Sequence, residues 1–343
     1  MGLYTFKQVP SNELEKLQEF LNVHWKKGHT LAISKKLMDF QHYNREDDSY
    51  NFKVAENSET KEYDAIVGYI PVAQYDKNLA ENGDYWGAIW KIREDVTNSE
   101  INAAGFFLWK SLFKLPNFQS YAAVGISEIA KQIYVASRMT ISHLSHYYML
   151  NNETKEFKVA ANVTSELKTA VLNEGKLATV KWIDINSINE GEVTPVYRPM
   201  KSLQYFKYRY ENHPFYKYEF LGIFIGNVLK SILAVRQINV ENSAILRVVD
   251  VLGELCGNCY VSMQNILHER NAEYIDFLNY GIEEDVFHTL GFRNLDFDGD
   301  LIIPNYMEPF TKCNVKINLA YKAKYDGYVA FKGDSDQDRP NIL

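Results

Sequence analysis

The stretch "EYIDFLNYGIEEDVFHTLGF", residues 273–292, decides how the second half of this chain is organised. Its first eight residues alternate between apolar and polar or small side chains, which predicts a buried strand interrupted by Asp276. Gly281 follows, and the acidic residues after it favour the first turn of a helix. Gly291 can supply the left-handed end of that helix. The stretch therefore predicts a strand, a turn and a helix that stops before Phe292.

The residues of the second half that precede this stretch predict a helix, three antiparallel strands and another helix, in that order. Gly226 and residues 239–242 are typical of tight hairpin turns between the strands. The predicted elements are a helix at 199–212, strands at 216–226, 229–238 and 243–253, and a helix at 254–270.

The first half predicts the same order of elements. Ser11 can cap a helix that runs to His24. The elements after it are strands at 50–57, 62–75 and 84–95, a helix at 100–114, a strand at 120–126, a helix at 127–139 and a closing strand at 140–150. Gly125 matches Gly281 in this comparison. We therefore predict an α/β protein of two tandem units, 1–150 and 151–343, each a mixed, mostly antiparallel sheet flanked by helices.

Composition narrows the class of protein. The 343 residues are 46% hydrophobic, and the net charge of −7 argues against a DNA partner. The longest apolar stretch, residues 218–229, is too short to span a bilayer, and the start lacks the pattern of a secretory signal. Cys256 and Cys259 lack a second metal-ligand pair, so we expect no metal site. These features predict a cytoplasmic protein.

The element order resembles the fold of the GNAT acyltransferases, and two such units in one chain resemble the tandem arrangement of the Fem-type transferases. Several segments of the sequence are also similar to segments of proteins that are encoded in bacterial surface-polysaccharide clusters. The segments are "HW", "YRYENHPFYKY", "LRVVDVLG", "AEYIDF", "IIPNYMEPF" and "GDSDQDRPN".

The resemblance implies an acyl-coenzyme A donor, held by backbone N–H groups at a loop before a helix. In the second unit this loop is "ELCGNC", where Glu254 stands in place of the usual Gln or Arg. The residues expected to bind the cofactor are Val251, Leu252, Gly253, Gly257 and Asn258. The resemblance also implies a tyrosine acid on the last helix, at Tyr134 in the first unit; the second unit has Phe287 there.

Acylation of an amine needs a base. Asp250 and Asp276 each interrupt an apolar strand, so each is a candidate base. Alternatively, each is an acid at a strand end that is solvated or bonded to Arg247 or another arginine. His213 is a further catalytic candidate, or a turn histidine before Pro214.

Three residues are predicted to contact the substrate: Tyr280, Tyr306 and Glu308. The C-terminal "GDSDQD" is expected to be a solvated acidic tail, or a site for a cation or a sugar.

The sequence thus favours an N-acyltransferase that moves an acyl group from a thioester to the amine of an amino sugar or sugar nucleotide. Two alternatives remain open: a transferase of the Fem type that uses aminoacyl-tRNA, and a non-catalytic binding protein with the same fold.

Overall fold

A computed structural model describes residues 2–169 and 175–343, and within them the longer strands form two sheets of eight strands each. The strands are β1 (Tyr4–Pro10), β2 (Tyr43–Asn44), β3 (Ser49–Asn57), β4 (Tyr63–Pro71), β5 (Asp84–Ile92), β6 (Ser120–Val124), β7 (Thr140–His143), β8 (Ser145–Leu150), β9 (Thr179–Ile183), β10 (Glu219–Ile225), β11 (Val228–Val240), β12 (Ser243–Gly253), β13 (Ala272–Tyr280), β14 (Arg293–Asn294), β15 (Tyr306–Met307), β16 (Phe310–Thr311), β17 (Asn318–Ala323) and β18 (Ala330–Phe331).

The α-helices lie on the outer faces of the sheets and between them. They are α1 (Leu14–Phe20), α2 (Thr30–Ile33), α3 (Lys35–His42), α4 (Glu100–Lys110), α5 (Glu128–Ala136), α6 (Leu203–Phe206), α7 (Tyr260–Glu269) and α8 (Glu284–Leu290). Two of them continue as π-helical turns, α1 into Leu21–Trp25 and α6 into Lys207–Glu211.

The first sheet has the order β1-β3-β4-β5-β6-β17-β7, with β2 also paired to β3; the second has the order β14-β8-β13-β12-β11-β10-β9, with β18 also paired to β13. In each sheet one pair of neighbours is parallel, β5 with β6 and β12 with β13, and the other pairs are antiparallel. The predicted α/β class with two mixed, mostly antiparallel sheets is confirmed.

The stretch at 273–292 folds as its pattern predicts. Residues 272–279 of β13 are buried on both faces, and α8 ends at Gly291, which has a φ of 98°. Gly125 and Gly281 both follow the second strand of the parallel pair, and both have positive φ, 74° and 93°. A side chain is strained in that conformation, so both positions favour glycine.

The two halves exchange strands, which the sequence did not predict. Residues 140–150 were expected to be one closing strand, and this is wrong: β7 lies in the first sheet and β8 in the second. The break falls at Leu144, whose N–H donates to the Ile317 carbonyl at 2.9 Å. In return β17, from the second half, lies between β6 and β7 in the first sheet. Each sheet is therefore completed by a strand from the other half of the chain.

The two sheets share an apolar core. Trp86 and Ala122 of the first sheet pack in the same buried cluster as Ile232 and Val249 of the second. Burial of side chains of this kind typically contributes ~1.5–3 kcal/mol each, so the contact between the sheets is a major source of stability. Among the described residues no helix is long and apolar enough to cross a membrane.

Candidate active site

Each sheet opens between its two parallel strands. In the second sheet β12 and β13 pair only as far as Val248 and Phe277, and a bulge at Val249 follows. In the first sheet β5 and β6 pair only as far as Trp86 and Ala122. Beyond these residues the carboxyl ends of the strands separate. We call the two gaps the first and second openings, after their sheets.

The C-terminal segment 330–340 lies in both openings. In the second opening its main chain bonds to both separated strands: the Lys332 N–H donates to the Leu278 carbonyl at 3.1 Å and the Gly333 N–H to the Val249 carbonyl at 2.7 Å. One short segment of main chain thus takes the hydrogen-bonding positions that the two strands no longer offer each other.

The first opening is occupied by side chains of the same segment. The Ser335 hydroxyl donates to the Gly87 carbonyl, and the Gln337 amide donates to the Val124 carbonyl at 2.8 Å. Gly87 belongs to β5 and Val124 to β6, so these bonds also join two separated strands. Both openings are filled by the protein's own chain.

The acidic end of the chain is therefore buried, and the expectation of a solvated tail is wrong. Asp334 is 1% exposed and Asp338 is 2% exposed. Asp338 lies 3.1 Å from Arg236 and accepts a hydrogen bond from the Tyr218 hydroxyl. The turns of residues 332–339 bring these carboxylates to cations of the second half.

Asp250 lies in a buried network beside the second opening. The Lys201 ammonium donates to both of its oxygens, at 2.7 and 2.8 Å, and lies 2.6 Å from Asp334. The Tyr210 hydroxyl donates to Asp250 at 2.6 Å. Burial raises the pKa of Asp334 to about 6 although Lys201 opposes that shift.

Asp276 lies in a separate buried network. Arg247 forms a two-pronged bond with it, at 2.9 and 2.6 Å, and His146 Nε2 lies 3.0 Å from the same carboxylate. Burial would raise the pKa of Asp276, but Arg247 and His146 outweigh it and hold the pKa below its usual value. Arg247 is thus the partner of Asp276, as one of the two interpretations predicted.

His213 is buried and neutral. Its Nδ1 accepts hydrogen bonds from the N–H groups of Phe215 and Tyr216, at 3.2 and 2.9 Å. Burial lowers its pKa to about 3. The Tyr216 hydroxyl donates to Glu308 at 2.7 Å. The structure thus brings His213 and Glu308 to opposite ends of the same tyrosine.

The two remaining predicted substrate contacts lie apart from each other. The Tyr280 hydroxyl is 3.1 Å from that of Tyr321, and burial raises the pKa of Tyr280 to about 12. Tyr306 lies in the small β15–β16 ribbon, and the Lys332 ammonium is 5.4 Å from the centre of its ring. Burial lowers the pKa of Lys332 to about 8.

The predicted donor loop of the second unit is closed by its own chain. Val251, Leu252 and Gly253 line a cavity of about 10 Å³, which is about the space of one water molecule. The Asn258 N–H donates to the Lys176 carbonyl at 2.8 Å. A Cβ at Gly257 would lie only 2.8 Å from that of Ala178 and 3.0 Å from the Lys176 carbonyl, so residues 176–178 cover the loop closely.

In the first unit the predicted acid, Tyr134, is 3% exposed and packs on Trp109 and Trp90, with ring centres 5.3 and 6.2 Å apart. Burial raises its pKa well above the usual value. Helix α4 begins after Ser99, whose side chain forms no cap. The first turn of the helix holds Glu100, whose N–H donates to the Asn98 side chain at 2.9 Å.

The cysteines are free thiols, and burial raises the pKa of Cys259 to about 12. A thiol with that pKa is a poor nucleophile at neutral pH. Within residues 2–169 and 175–343, no group of three His, Cys, Asp or Glu side chains is placed to hold a metal ion.

Sequence reasoning missed the partners that define both networks. Lys201 was placed only within the predicted helix 199–212, and His146 only within the predicted strand 140–150. His146 lies at the start of β8, in "SHYYML", and neither that segment nor the pattern of β13 indicates which polar residues pair with each other.

The comparisons with known proteins agree with this architecture. No family model and no curated protein sequence matches the chain. A GCN5-related N-acetyltransferase from Anabaena variabilis superposes with a TM-score of 0.56 at 7% identity, covering 93% of this chain and 72% of that one. A conserved protein from Enterococcus faecalis, named as a probable N-acyltransferase, superposes with a TM-score of 0.52 at 6% identity, covering 94% and 73%.

These superpositions extend over nearly the whole chain, so the protein has the GNAT fold in its two-unit form. At such low identity the likeness shows the fold alone. The chemistry must be argued from the chain's own residues.

Proposed function

We propose that this protein is an N-acyltransferase. In the reaction the acceptor amine attacks a thioester carbonyl, a C–N bond forms, the C–S bond breaks, and the thiol leaves with a proton. The observation that supports it is the pair of openings between bulged or separated parallel strands, because such an opening offers unpaired main-chain N–H groups to a carbonyl oxygen. The structures that superpose with the chain carry acyltransferase names, which agrees with this proposal.

The donor in this proposal is an acyl-coenzyme A, and it enters one of the openings when the segment 330–340 moves aside. The first unit keeps Tyr134 as an acid, whereas in the second unit the expected donor loop is covered by residues 176–178. We therefore assign the donor to the first opening.

Asp250 and Asp276 remain the candidate bases. Each is held by a cation inside a buried network, so its oxygens are already engaged in hydrogen bonds. A base role therefore requires that Lys201 or Arg247 withdraws during the reaction. The acceptor that we propose is the amine of an amino sugar or sugar nucleotide.

A second candidate function is non-catalytic binding by a protein that has kept the GNAT fold. It is favoured by one observation: the segment 330–340 bonds to the separated strands of both openings. A chain that uses the openings only for its own packing would have this arrangement.

Donor binding separates the two candidates. Gly333→Ala should expel the segment from the second opening, because its Cβ would lie 2.4 Å from the Tyr210 hydroxyl and 2.8 Å from the Val249 carbonyl. Gln337→Ala removes the bond to Val124 in the first opening. Gly299→Ala is a matched control, since its Cβ would meet nothing closer than 3.4 Å.

The measurement is thermal unfolding with acetyl-CoA and longer acyl-CoAs, with transfer of labelled acetyl to glucosamine as the activity assay. A donor at a hundredfold excess over Kd stabilises the fold by about 2.7 kcal/mol. We expect Gln337→Ala to bind the donor more tightly than the wild type. If no acyl-CoA stabilises or reacts with the wild type or either variant, the chain is the non-catalytic binding protein.

The base is tested by Asp250→Asn and Asp276→Asn. Loss of a general base should reduce turnover about 10²–10⁴-fold. Loss of a buried ion-pair partner should instead cost about 3–5 kcal/mol of stability, because the cation is left without its counter-charge. Turnover and urea denaturation on the same samples distinguish these results, with the exposed Asp326→Asn as the matched control. If both variants keep the wild-type turnover, neither Asp250 nor Asp276 is the base.

A further inference from the structure

A large groove lies at the opposite end of the first sheet from the first opening. Its volume is about 1220 Å³, enough for a ligand of several rings. Asp84 and Tyr85, at the amino end of β5, lie on it, whereas the opening begins at the carboxyl end of the paired part of that strand. Gln204 and Tyr208 of the second half form one wall. The groove is thus built by both halves of the chain.

The carboxylates of the groove already have donors within the protein. The pairs are Asp39 with Lys35 and the Tyr50 hydroxyl, Glu46 with Lys77, Asp47 with the Asn44 amide, Asp76 with the Asn78 N–H and the Ser202 hydroxyl, and Asp84 with the Ser120 and Tyr325 hydroxyls. Asp39 and Glu46 are each paired with a lysine, whereas the other three carboxylates accept hydrogen bonds from uncharged groups.

The cations of the groove are less committed. Lys53 is half-buried, its pKa is lowered by that burial, and its ammonium reaches only the Ser111 carbonyl, at 3.4 Å. Ser111 begins the turn that carries Lys114, so the two lysines border the same part of the groove. Among the described residues Lys53, Lys114 and Arg45 form no ion pair. A ligand anion can therefore reach these three cations without displacing a paired carboxylate.

The groove also has uncharged polar and aromatic lining residues. Tyr43 and Tyr208 are partly exposed, and the amides of Asn117, Gln204 and Asn212 are exposed around them.

We propose that this groove binds a polyhydroxylated ligand that carries an anionic group, such as a sugar with a phosphate or a carboxylate. Lys53 and Lys114 hold the anion, because an ammonium without a counter-charge in a partly buried site gains most from one. The amides bond to hydroxyl groups, and the tyrosine rings cover the apolar face of a sugar ring. The assignment does not rest on acyl transfer, and it holds for the binding protein as well.

The test is isothermal titration calorimetry on the full chain with defined probes. UDP-N-acetylglucosamine carries phosphates, glucuronic acid carries a carboxylate, and N-acetylglucosamine carries neither. We expect one of the anionic probes to bind at least tenfold more tightly than N-acetylglucosamine, and the stronger one identifies the anion. Inorganic phosphate should compete with a phosphate-bearing probe.

Lys53→Met keeps most of the side-chain length and removes the charge, so it should weaken the binding of the anionic probe at least tenfold. Tyr208→Ala should weaken the binding of every sugar probe. Lys230→Met, on β11 and outside the groove, is the matched control and should bind as the wild type does. Melting curves check that each variant is folded. If no probe binds, or if Lys53→Met binds the anionic probe like the control, the assignment is overturned.

Discussion

Buried histidines in this chain are neutral because their surroundings cannot solvate a charge. Burial lowers the pKa of His29 and His213 to about 3 and that of His42 to about 4. His213 shows the arrangement most clearly, since its Nδ1 accepts two main-chain hydrogen bonds and needs its lone pair. At neutral pH it is therefore an acceptor, and its role in a reaction would require a change of surroundings.

This property predicts a specific loss of stability in acid. The unfolded chain takes up a proton on His213 near pH 6.5, and the folded chain does so only near pH 3, so the contribution of this group is lost as pH falls below 6.5. At pH 5 the loss is about 2 kcal/mol. His213→Asn should lose correspondingly less stability between pH 7 and pH 5 in urea denaturation.

The control for this measurement is Asn239→Gln, an exposed substitution on β11 that removes no titratable group. It should have the same acid dependence as the wild type. An equal loss in His213→Asn and in the wild type would show that His213 does not set the acid stability.

The candidate site residues show what a sequence can predict at this scale. Asp250 and Asp276 were recognisable because an acid in an apolar strand must have a partner. The partners Lys201 and His146 were not, because Lys201 lies 49 residues from Asp250 and His146 lies 130 residues from Asp276. Only the strand exchange brings β8 beside β13. The acids could therefore be predicted, and the networks could not.

Among the elements, β17 has the most demanding position. It is a central strand of the first sheet, with Ala320 paired to Ala123 on one side and to Ile141 on the other. A central strand has no place for proline, because every N–H serves a neighbour.

We therefore expect Ala320→Pro to cost about 3 kcal/mol or more, from one lost buried hydrogen bond and the clash of the ring. Chemical denaturation measures the loss. Ala320→Ser keeps the N–H and reports the cost of changing the side chain alone. If the two variants were equally stable, β17 would not be hydrogen-bonded as a central strand of this sheet.

Element prediction succeeded where alternation and turn signals agreed, as in β3 to β5 and β10 to β13. It failed at residues 140–150 because Leu144 carries no turn signal, and the chain changes sheets there through a tertiary contact. The short strands β1 and β9 were also missed. Each lies at an edge of its sheet and is hydrogen-bonded to one neighbouring strand only. An edge strand can therefore form without a strong alternation of apolar residues in its sequence.

At the scale of the molecule the proposed units 1–150 and 151–343 are joined by more than a linker. Strand β8 of the first half lies in the second sheet, β17 of the second half lies in the first, and the segment 330–340 contacts both. A cut in the exposed connection at Glu190–Gly191 should therefore leave two fragments that remain together.

A protease site inserted at Glu190–Gly191 tests this expectation. After cleavage, gel filtration in native buffer should show one species of the original size, and the fragments should separate only in denaturant. The uncut protein with the same insertion is the control. Two separate native fragments would mean that the exchanged strands contribute little to holding the halves together.

The exchange of β8 and β17 also determines when the strands of each sheet can pair while the chain is being synthesised. Strand β6 leaves the ribosome about 200 residues before its partner β17, and at about 5–20 residues per second that interval is about 10–40 s. During this interval the first sheet lacks the strand that lies between β6 and β7. Strand β8 likewise has no partner until the strands of the second sheet have been made. The nascent first half must therefore carry unpaired strand edges until β17 has been made. This chain should depend on chaperones far more during translation than its final stability would suggest.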